Sequence, residues 1–433
     1  MFLSFSSFLV LREEPHLSEI IPLRKNRSFN FWVSAQIVSP IAESFSTILI
    51  TWTIWKESNS TTLLALTLIL TTIPQIIFGM VAGVATDRFN RKKIVMFCNA
   101  IRAVLMVVMG LLAFSSLLNE IIFMLASFIL GFLRLFAMTA YRAAMPGIVH
   151  KEQLMKANSI TNSVRMGFWL IGPLFAGFSL TLLSTGQIMI MNAILFIISV
   201  FLLMPVQIKQ VKVEHKNKNL FKELGVGLKL VSQDRLIFSI FITFAAFTCF
   251  GRGIAHLGNL MVSNEIGLDS SGFGVLSSAD GFGYLVAGII LARLAIINKY
   301  RTMMLAWLGG GVAFLFMPFS DSIWLPLILL FMVGLTQPFV DVPLVTLVQQ
   351  RVADEHLGKV FGFHTVTIWI GEFMAYALFG YLFGAFTPTM VYATSGFIVG
   401  ILAIGMLIFA RIRLKYTQDN IQQPESMAKN ISN

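Results

Sequence analysis

Gly83-Val84-Ala85-Thr86-Asp87-Arg88-Phe89-Asn90-Arg91-Lys92-Lys93 joins two long apolar runs and gathers one acid and four basic residues into its last seven positions. Small residues close the run before it, and a new apolar run opens at Ile94. A basic cluster this short, set between runs of about 20 apolar residues, is the pattern of a loop on the cytoplasmic face of a membrane. The same alternation extends in both directions along the chain. Apolar runs long enough to span fall near 30–55, 61–86, 94–115, 120–146, 157–181, 184–206, 236–262, 271–297, 302–320, 322–347, 359–385 and 388–411. The pattern predicts an all-α membrane protein with twelve transmembrane helices.

Composition points the same way. Of 433 residues, 56% are hydrophobic and 12% charged, against about 25% charged in soluble domains. Forty phenylalanines and a mean hydropathy of +0.80 leave no stretch polar enough for the surface of a soluble domain. A net charge of +11 would suggest nucleic acid in a soluble protein. Here the basic residues sit in short clusters between apolar runs, so the expected partner is the lipid bilayer and no nucleic acid is expected. Cys98 and Cys249 both lie inside apolar runs and offer neither a disulfide framework nor metal spacing. No metal and no cofactor are expected.

Lysine and arginine placement sets the orientation. One side of the membrane collects Arg88, Arg91, Lys92, Lys93, Lys151, Lys156, Lys299, Arg301, Arg351 and Lys359, with the terminal segments and a long central loop. The other side offers Lys56. By the positive-inside rule both termini are cytoplasmic. The chain then divides into a cytoplasmic N-terminal arm (1–29), a six-helix bundle (30–206), a cytoplasmic central loop (207–235), a second six-helix bundle (236–411) and a cytoplasmic tail (412–433). An apolar run in the first fifteen residues is followed by Glu13 and Glu14 and preceded by no basic residue, so a cleaved signal peptide is not expected.

The halves echo one another. Val81-Ala82-Gly83 to Arg88 aligns with Val286-Ala287-Gly288 to Arg293 at an offset of 205. Val149 to Lys156 aligns with Val352 to Lys359 at an offset of 203. Two echoes at nearly one offset predict two pseudo-symmetric bundles with a substrate site at their interface.

The loop quoted first resembles the G-x-x-x-D-R-x-x-R-K signature of the major facilitator superfamily, at the place where that family carries it. The resemblance implies the major facilitator fold and transport by alternating access. It implies a cytoplasmic latch in which Gly83, Asp87, Arg88, Arg91 and Lys92 take part, with Asp87 facing the positive end of helix 11, which begins just after Lys359. Ala292 stands at the equivalent place of the second copy, which makes the latch one-sided. In span 5, Gly167, Gly172, Pro173 and Gly177 are similar to part of the glycine-proline motif of antiporter branches. In span 4, Arg134 matches the arginine that opens the family's helix-4 motif. Over its full length the chain is most similar to the branch of drug:proton antiporters that holds macrolide-efflux proteins and the enterobactin exporter.

Eight ionisable residues fall well inside the spans: Glu43, Arg102, Arg134, Arg165, Arg252, Asp280, Asp341 and Glu372. Each costs about 2.5–3.5 kcal/mol near a helix centre even on the mildest scale, so they should face a cavity or one another. In the fold the resemblance implies, helices 1, 4, 7 and 10 line the cavity and carry Glu43, Arg134, Arg252 and Asp341. Helices 2, 5, 8 and 11 flank the interface and carry Arg165, Asp280 and Glu372. Arg102, on a peripheral helix, is expected to snorkel and to be structural. Glu43 opposite Arg134 is the candidate proton carrier, with structural pairing as the alternative. Asp280 and Glu372 either carry the proton or neutralise Arg252 or Arg165.

The expected function is secondary active, proton-coupled efflux of amphiphilic small molecules, drug or siderophore-like, by a monomer in the bacterial cytoplasmic (inner) membrane. A lipid flippase or small-molecule importer on the same fold is the alternative, and a transport-dead sensor is a third reading. No phosphate-binding loop of the G-x-x-x-x-G-K-[ST] type is present, so the proton gradient is the expected energy source. No catalytic cluster is visible, and an enzyme is not expected.

Overall fold

The computed structural model describes residues 22–208, 228–229, 231–233, 235–291, 294, 296, 298–352 and 354–408. Most of the central loop, the tail and most of the N-terminal arm lie outside the described residues. Among those described, the chain is helical and contains no strand.

Short loops between long helices require each helix start to satisfy its own free amides. Side chains placed at the caps do this. Asn26 accepts from Phe29 N at 3.0 Å, Ser60 from Leu63 N at 3.3 Å, Asn90 from Lys93 N at 3.2 Å and Asn119 from Ile122 N at 3.0 Å. Ser184 forms a reciprocal capping box with Gln187. These caps open α1 (Arg27–Ser58), α2 (Thr61–Arg88), α3 (Arg91–Phe114), α4 (Glu120–Ala144) and α6 (Thr185–Leu203), with α5 (Leu154–Leu182) between the last two. The second set begins with α7, whose pieces Arg235–Phe247 and Ile254–Glu265 flank a π-helical turn, Thr248–Gly253. It continues with α8 (Ser270–Leu291) and α9 (Lys299–Leu315). Next comes α10, split as Trp324–Thr336 and Pro338–Arg351, then α11 (Asp354–Ala385) and α12 (Pro388–Ile408). The break in α10 falls at Gln337-Pro338, where the proline removes an amide from the helix ladder.

Among the described residues, eleven helical stretches are long and apolar enough to cross a membrane, and the apolar stretch Ile171–Leu182 lies in α5. The first half of α5 is more polar, with Lys156, Asn158, Ser159, Thr161, Asn162, Ser163 and Arg165 in close succession.

Within the first set α2 packs on α4, α3 on α6, and α1 on both α5 and α6; within the second, α8 packs on α10, α9 on α10, and α7 on α11. Glycines permit backbone-to-backbone approach at equivalent places. A Cβ on Gly131 of α4 would collide with the Thr71 backbone of α2, and one on Gly334 of α10 with the Asp280 backbone of α8. These two glycines stand 203 residues apart, the offset of the second sequence echo. Buried amides add polar ties in the first set: Asn99 donates to Ser199 Oγ at 3.0 Å and Asn192 to Ser46 Oγ at 2.6 Å.

The two sets meet along two seams, α5 against α8 and α2 against α11. Both seams are tight at the end away from the basic loops. A Cβ on Gly177 would come within 2.5 Å of the Ser270 carbonyl oxygen, one on Gly274 within 2.6 Å of the Pro173 carbonyl oxygen, and one on Gly380 would overlap Ala65 Cβ. Trp52 of α1 stacks on Phe273 of α8 across the same end, with centroids 5.9 Å apart. Toward the basic end the helices part. Among the described residues, Gly167 meets only Leu285, at 3.9 Å, and Gly79, Gly83, Gly288 and Gly362 have nothing within 4 Å of a Cβ. The bundles therefore form a cleft that is shut at one end and open at the basic end.

Candidate functional site

Glu43 stands at mid-length on α1. On one side Arg102 of α3 donates from Nη1 to Glu43 Oε1 at 2.8 Å, and on the other Arg134 Nε of α4 lies 3.6 Å from Oε2. At 1.5 Å per residue, Arg102, Arg134 and Arg165 lie about 15–17 Å inside the basic ends of their helices, close to the middle of the membrane. Arg102 is sequestered, with a side chain 1% exposed, while Glu43 and Arg134 keep 20% and 31%. Glu43 thus faces the cleft, backed by a guanidinium that does not.

The setting of Arg102 overturns the expectation that it snorkels to the membrane surface. Its guanidinium also donates to Asn99 Oδ1 at 3.2 Å and lies over the Phe196 ring at 5.5 Å. Asn99 in turn holds Ser199 of α6. A chain of polar contacts therefore runs from the cleft through α1 and α3 to α6. Position on a peripheral helix says nothing about which way a residue points, and Arg102 points inward.

Arg165 of α5 donates Nη2 to Asn162 Oδ1 at 2.9 Å, in its own helix. It does not pair with Asp280 or Glu372 across the interface, so those acids do not neutralise it. Arg142, two residues before the end of α4, is exposed.

On the second set of helices, Asp280 Oδ1 accepts from Gly281 N at 2.8 Å where α8 presses on α10. The Tyr284 hydroxyl lies 3.5 Å from Asp341 Oδ2. Glu372 of α11 precedes buried Tyr376 by one turn. Arg252 sits in the π-helical turn of α7; its side chain, like that of Asp87 and that of Lys359, lies outside the described residues.

The remaining latch residues work within the first set of helices in this conformation. Arg91 Nη1 donates to the Ala143 carbonyl at 2.7 Å and its Nε to Thr86 O at 3.3 Å. Lys92 Nζ donates to the carbonyls of Met204 at 2.5 Å and Val206 at 2.9 Å. Cations thus satisfy the carboxyl-terminal carbonyls of α4 and α6. Arg88 is exposed, and among the described residues nothing lies within 4 Å of a Cβ on Gly83. In the antiporter-like motif, a Cβ on Gly172 would overlap Ser44 Oγ of α1. Pro173 and Gly177 sit on the α5–α8 seam, so the motif residues other than Gly167 serve tight packing.

Two six-helix sets closing on paired seams around a charged cleft are the architecture of a well-defined transporter family. Residues 17–431 match the family described as transmembrane secretion effectors. The chain belongs to that family, within the major facilitator superfamily. It is 22% identical to YvqJ, an MFS-type transporter of Bacillus subtilis, over 92% of this chain and 96% of the relative. It is 21% identical to macrolide efflux protein A of Streptococcus pyogenes, covering 78% and 84%, and 23% identical to the enterobactin exporter EntS of Escherichia coli, covering 92% and 95%. Among solved structures it is similar to a mutant form of the nucleoside transporter NupG, with TM-score 0.71 at 13% identity over 88% of this chain and 99% of that one. The likeness to NupG shows the fold alone. Twelve helices in two bundles, expected from hydropathy and the internal echoes, are what the major facilitator fold contains.

Proposed function

We propose that this transporter exports amphiphilic small molecules by alternating access, driven by proton entry. The observation that carries the reading is the setting of Glu43, a mid-membrane carboxylate on the wall of the cleft with one arginine behind it and one beside it. A proton arriving at Glu43 would release Arg134 from its partner, and a substrate group competing for Arg134 would release Glu43. Two ligands that exclude each other at one ion pair are what exchange transport requires, since each shifts the same equilibrium. The secretion-effector family and the export named for two of the relatives support the outward direction.

The protein works as a monomer in the bacterial cytoplasmic membrane, with both termini and the basic loops in the cytoplasm. The conformation described above is then open to the cytoplasm and closed outside. The experiment is transport in everted membrane vesicles, in which efflux becomes uptake. A fluorescent amphiphile should accumulate when a proton gradient is imposed and leave when it is collapsed. Accumulation in right-side-out vesicles under the same gradient would mean an importer instead, and accumulation indifferent to the gradient would remove proton coupling.

A further inference from the structure

Asn99 and Arg102 stand three residues apart on one face of α3, and Phe196 and Ser199 stand likewise on α6. The two faces meet where α3 packs on α6. Arg102 falls over the Phe196 ring and Asn99 on Ser199, and all four side chains are buried. The amide of Asn99 has one orientation that suits both its neighbours. Its NH2 donates to Ser199 Oγ at 3.0 Å, and its Oδ1 accepts from Arg102 Nη1 at 3.2 Å. The same Nη1 donates to Glu43 Oε1 at 2.8 Å, so its two hydrogens are divided between Asn99 and Glu43. Among the described residues, Arg102 Nη2 is buried without a hydrogen bond. The guanidinium thus holds Glu43 through one nitrogen and one oxygen, although arginine and carboxylate often form two parallel bonds. Oε2 is left to the cleft, where Arg134 Nε lies 3.6 Å away, beyond hydrogen-bond reach.

We propose that Asn99 is a positioning residue, which holds Arg102 to one oxygen of Glu43 and keeps the other oxygen available to partners in the cleft. An acceptor on the far side of Nη1 stops the guanidinium from turning to face the carboxylate squarely. Ser199 supports it by anchoring the amide from α6. Without Asn99, Nη2 would swing onto Oε2 and complete the paired contact that the guanidinium fork favours. Glu43 would then belong wholly to the scaffold, closed to Arg134 and to a proton. The inference rests on the transport reading above for the use made of Oε2, the oxygen at which proton and substrate compete. The division of the carboxylate stands without it. A carboxylate divided in this way keeps its place in the wall while one oxygen changes partners. A fully paired one would have to break both bonds before it could respond.

The test is the reaction of Glu43 with dicyclohexylcarbodiimide, an apolar reagent that attacks carboxyl groups in their protonated form. The full-length protein is purified in a neutral detergent, and the initial rate of labelling at Glu43 is read by mass spectrometry at one fixed pH. Glu43→Gln gives the background. Asn99→Leu, similar in size but without the amide oxygen, should be labelled about tenfold more slowly, the effect of one added charge-assisted hydrogen bond on the ionised carboxylate. Ser199→Ala leaves the amide in place but unanchored, and should slow labelling in the same direction by less. A residue that merely fills space would act the other way, since loosened packing opens the carboxyl to the reagent. An unchanged or raised rate in Asn99→Leu would overturn the proposal. Should that variant fail to fold, an unchanged or raised rate in Ser199→Ala would do so. The reaction needs neither gradient nor substrate, so a protein that proves not to couple to protons would still pass or fail this test on its own terms.

Discussion

Arg102 Nη1 lies 2.8 Å from Glu43 Oε1, joining a fully buried guanidinium on α3 to a carboxylate that reaches the cleft from α1. The pair ties the cleft wall to the scaffold behind it. Arg102 Nη1 also donates to Asn99 Oδ1, which is itself tied to Ser199, and the guanidinium lies over the Phe196 ring, so two acceptors and an aromatic face hold it in place. Arg134, by contrast, is partly exposed and 3.6 Å from the same carboxylate. One arginine is built in, and the other is free to exchange partners.

Removing one member of a buried ion pair leaves the other charge uncompensated, at a cost of about 3–5 kcal/mol. Arg102→Met should therefore lower thermal stability strongly, through Glu43 as well as through lost packing on Phe196. The double variant Arg102→Met with Glu43→Gln should recover part of the loss. Unfolding of the four forms in detergent gives the coupling, and independent effects would show that the pair contributes nothing to the fold.

Glu43→Gln keeps the shape of the carboxyl but fixes it in a neutral form. If Glu43 carries the coupling proton, this variant should lose gradient-driven accumulation and keep downhill exchange of substrate. Glu43→Asp should retain part of the coupling. The readout is proton movement when substrate is added to proteoliposomes. Undiminished proton movement in Glu43→Gln would place the carrier elsewhere, with Glu372 and Asp280 the next residues to change.

Much of this was legible in the sequence, for identifiable reasons. Hydropathy marks spans because the bilayer demands about 20 apolar residues in each, and the proline at Gln337-Pro338 marks a weak point in its helix, although Pro40, Pro74 and Pro173 lie inside helices that run through them. Arg134 beside Glu43 was legible through the family motif. The inward direction of Arg102 was not, since it depends on helix rotation, which periodicity in an apolar helix barely encodes. The π-helical turn at Thr248–Gly253 carries two glycines, Gly251 and Gly253, a signal that is visible only once the turn is known. The latch expected around Asp87 and the start of helix 11 falls on side chains that lie outside the described residues.

The topology is tested at α1's far end. Lys56 is exposed, and the positive-inside rule puts it outside the cell. Lys56→Cys should react with a membrane-impermeant maleimide on intact cells, and a cysteine introduced at Lys218 in the central loop only after permeabilisation. Cys98 and Cys249 are buried, so the background should be low. Labelling of the central loop in intact cells would invert the orientation, and with it the statement that this conformation opens to the cytoplasm.

Alternating access requires the seam at Ala65 and Gly380 to open once in each cycle. A Cβ on Gly380 would overlap that of Ala65, so cysteines at both positions start nearer than the usual Cβ separation of a disulfide, about 3.8 Å. A small parting of α2 and α11 brings them to bonding geometry. Ala65→Cys with Gly380→Cys should therefore cross-link under mild oxidation and hold this end shut. Transport should stop in the oxidised double variant and return on reduction, while the rate of each single variant should be the same under both conditions. Binding of a substrate from the basic side should survive the cross-link, because the cleft remains open there. Full transport with the cross-link in place would show that substrate leaves by a route other than the seam between the two bundles.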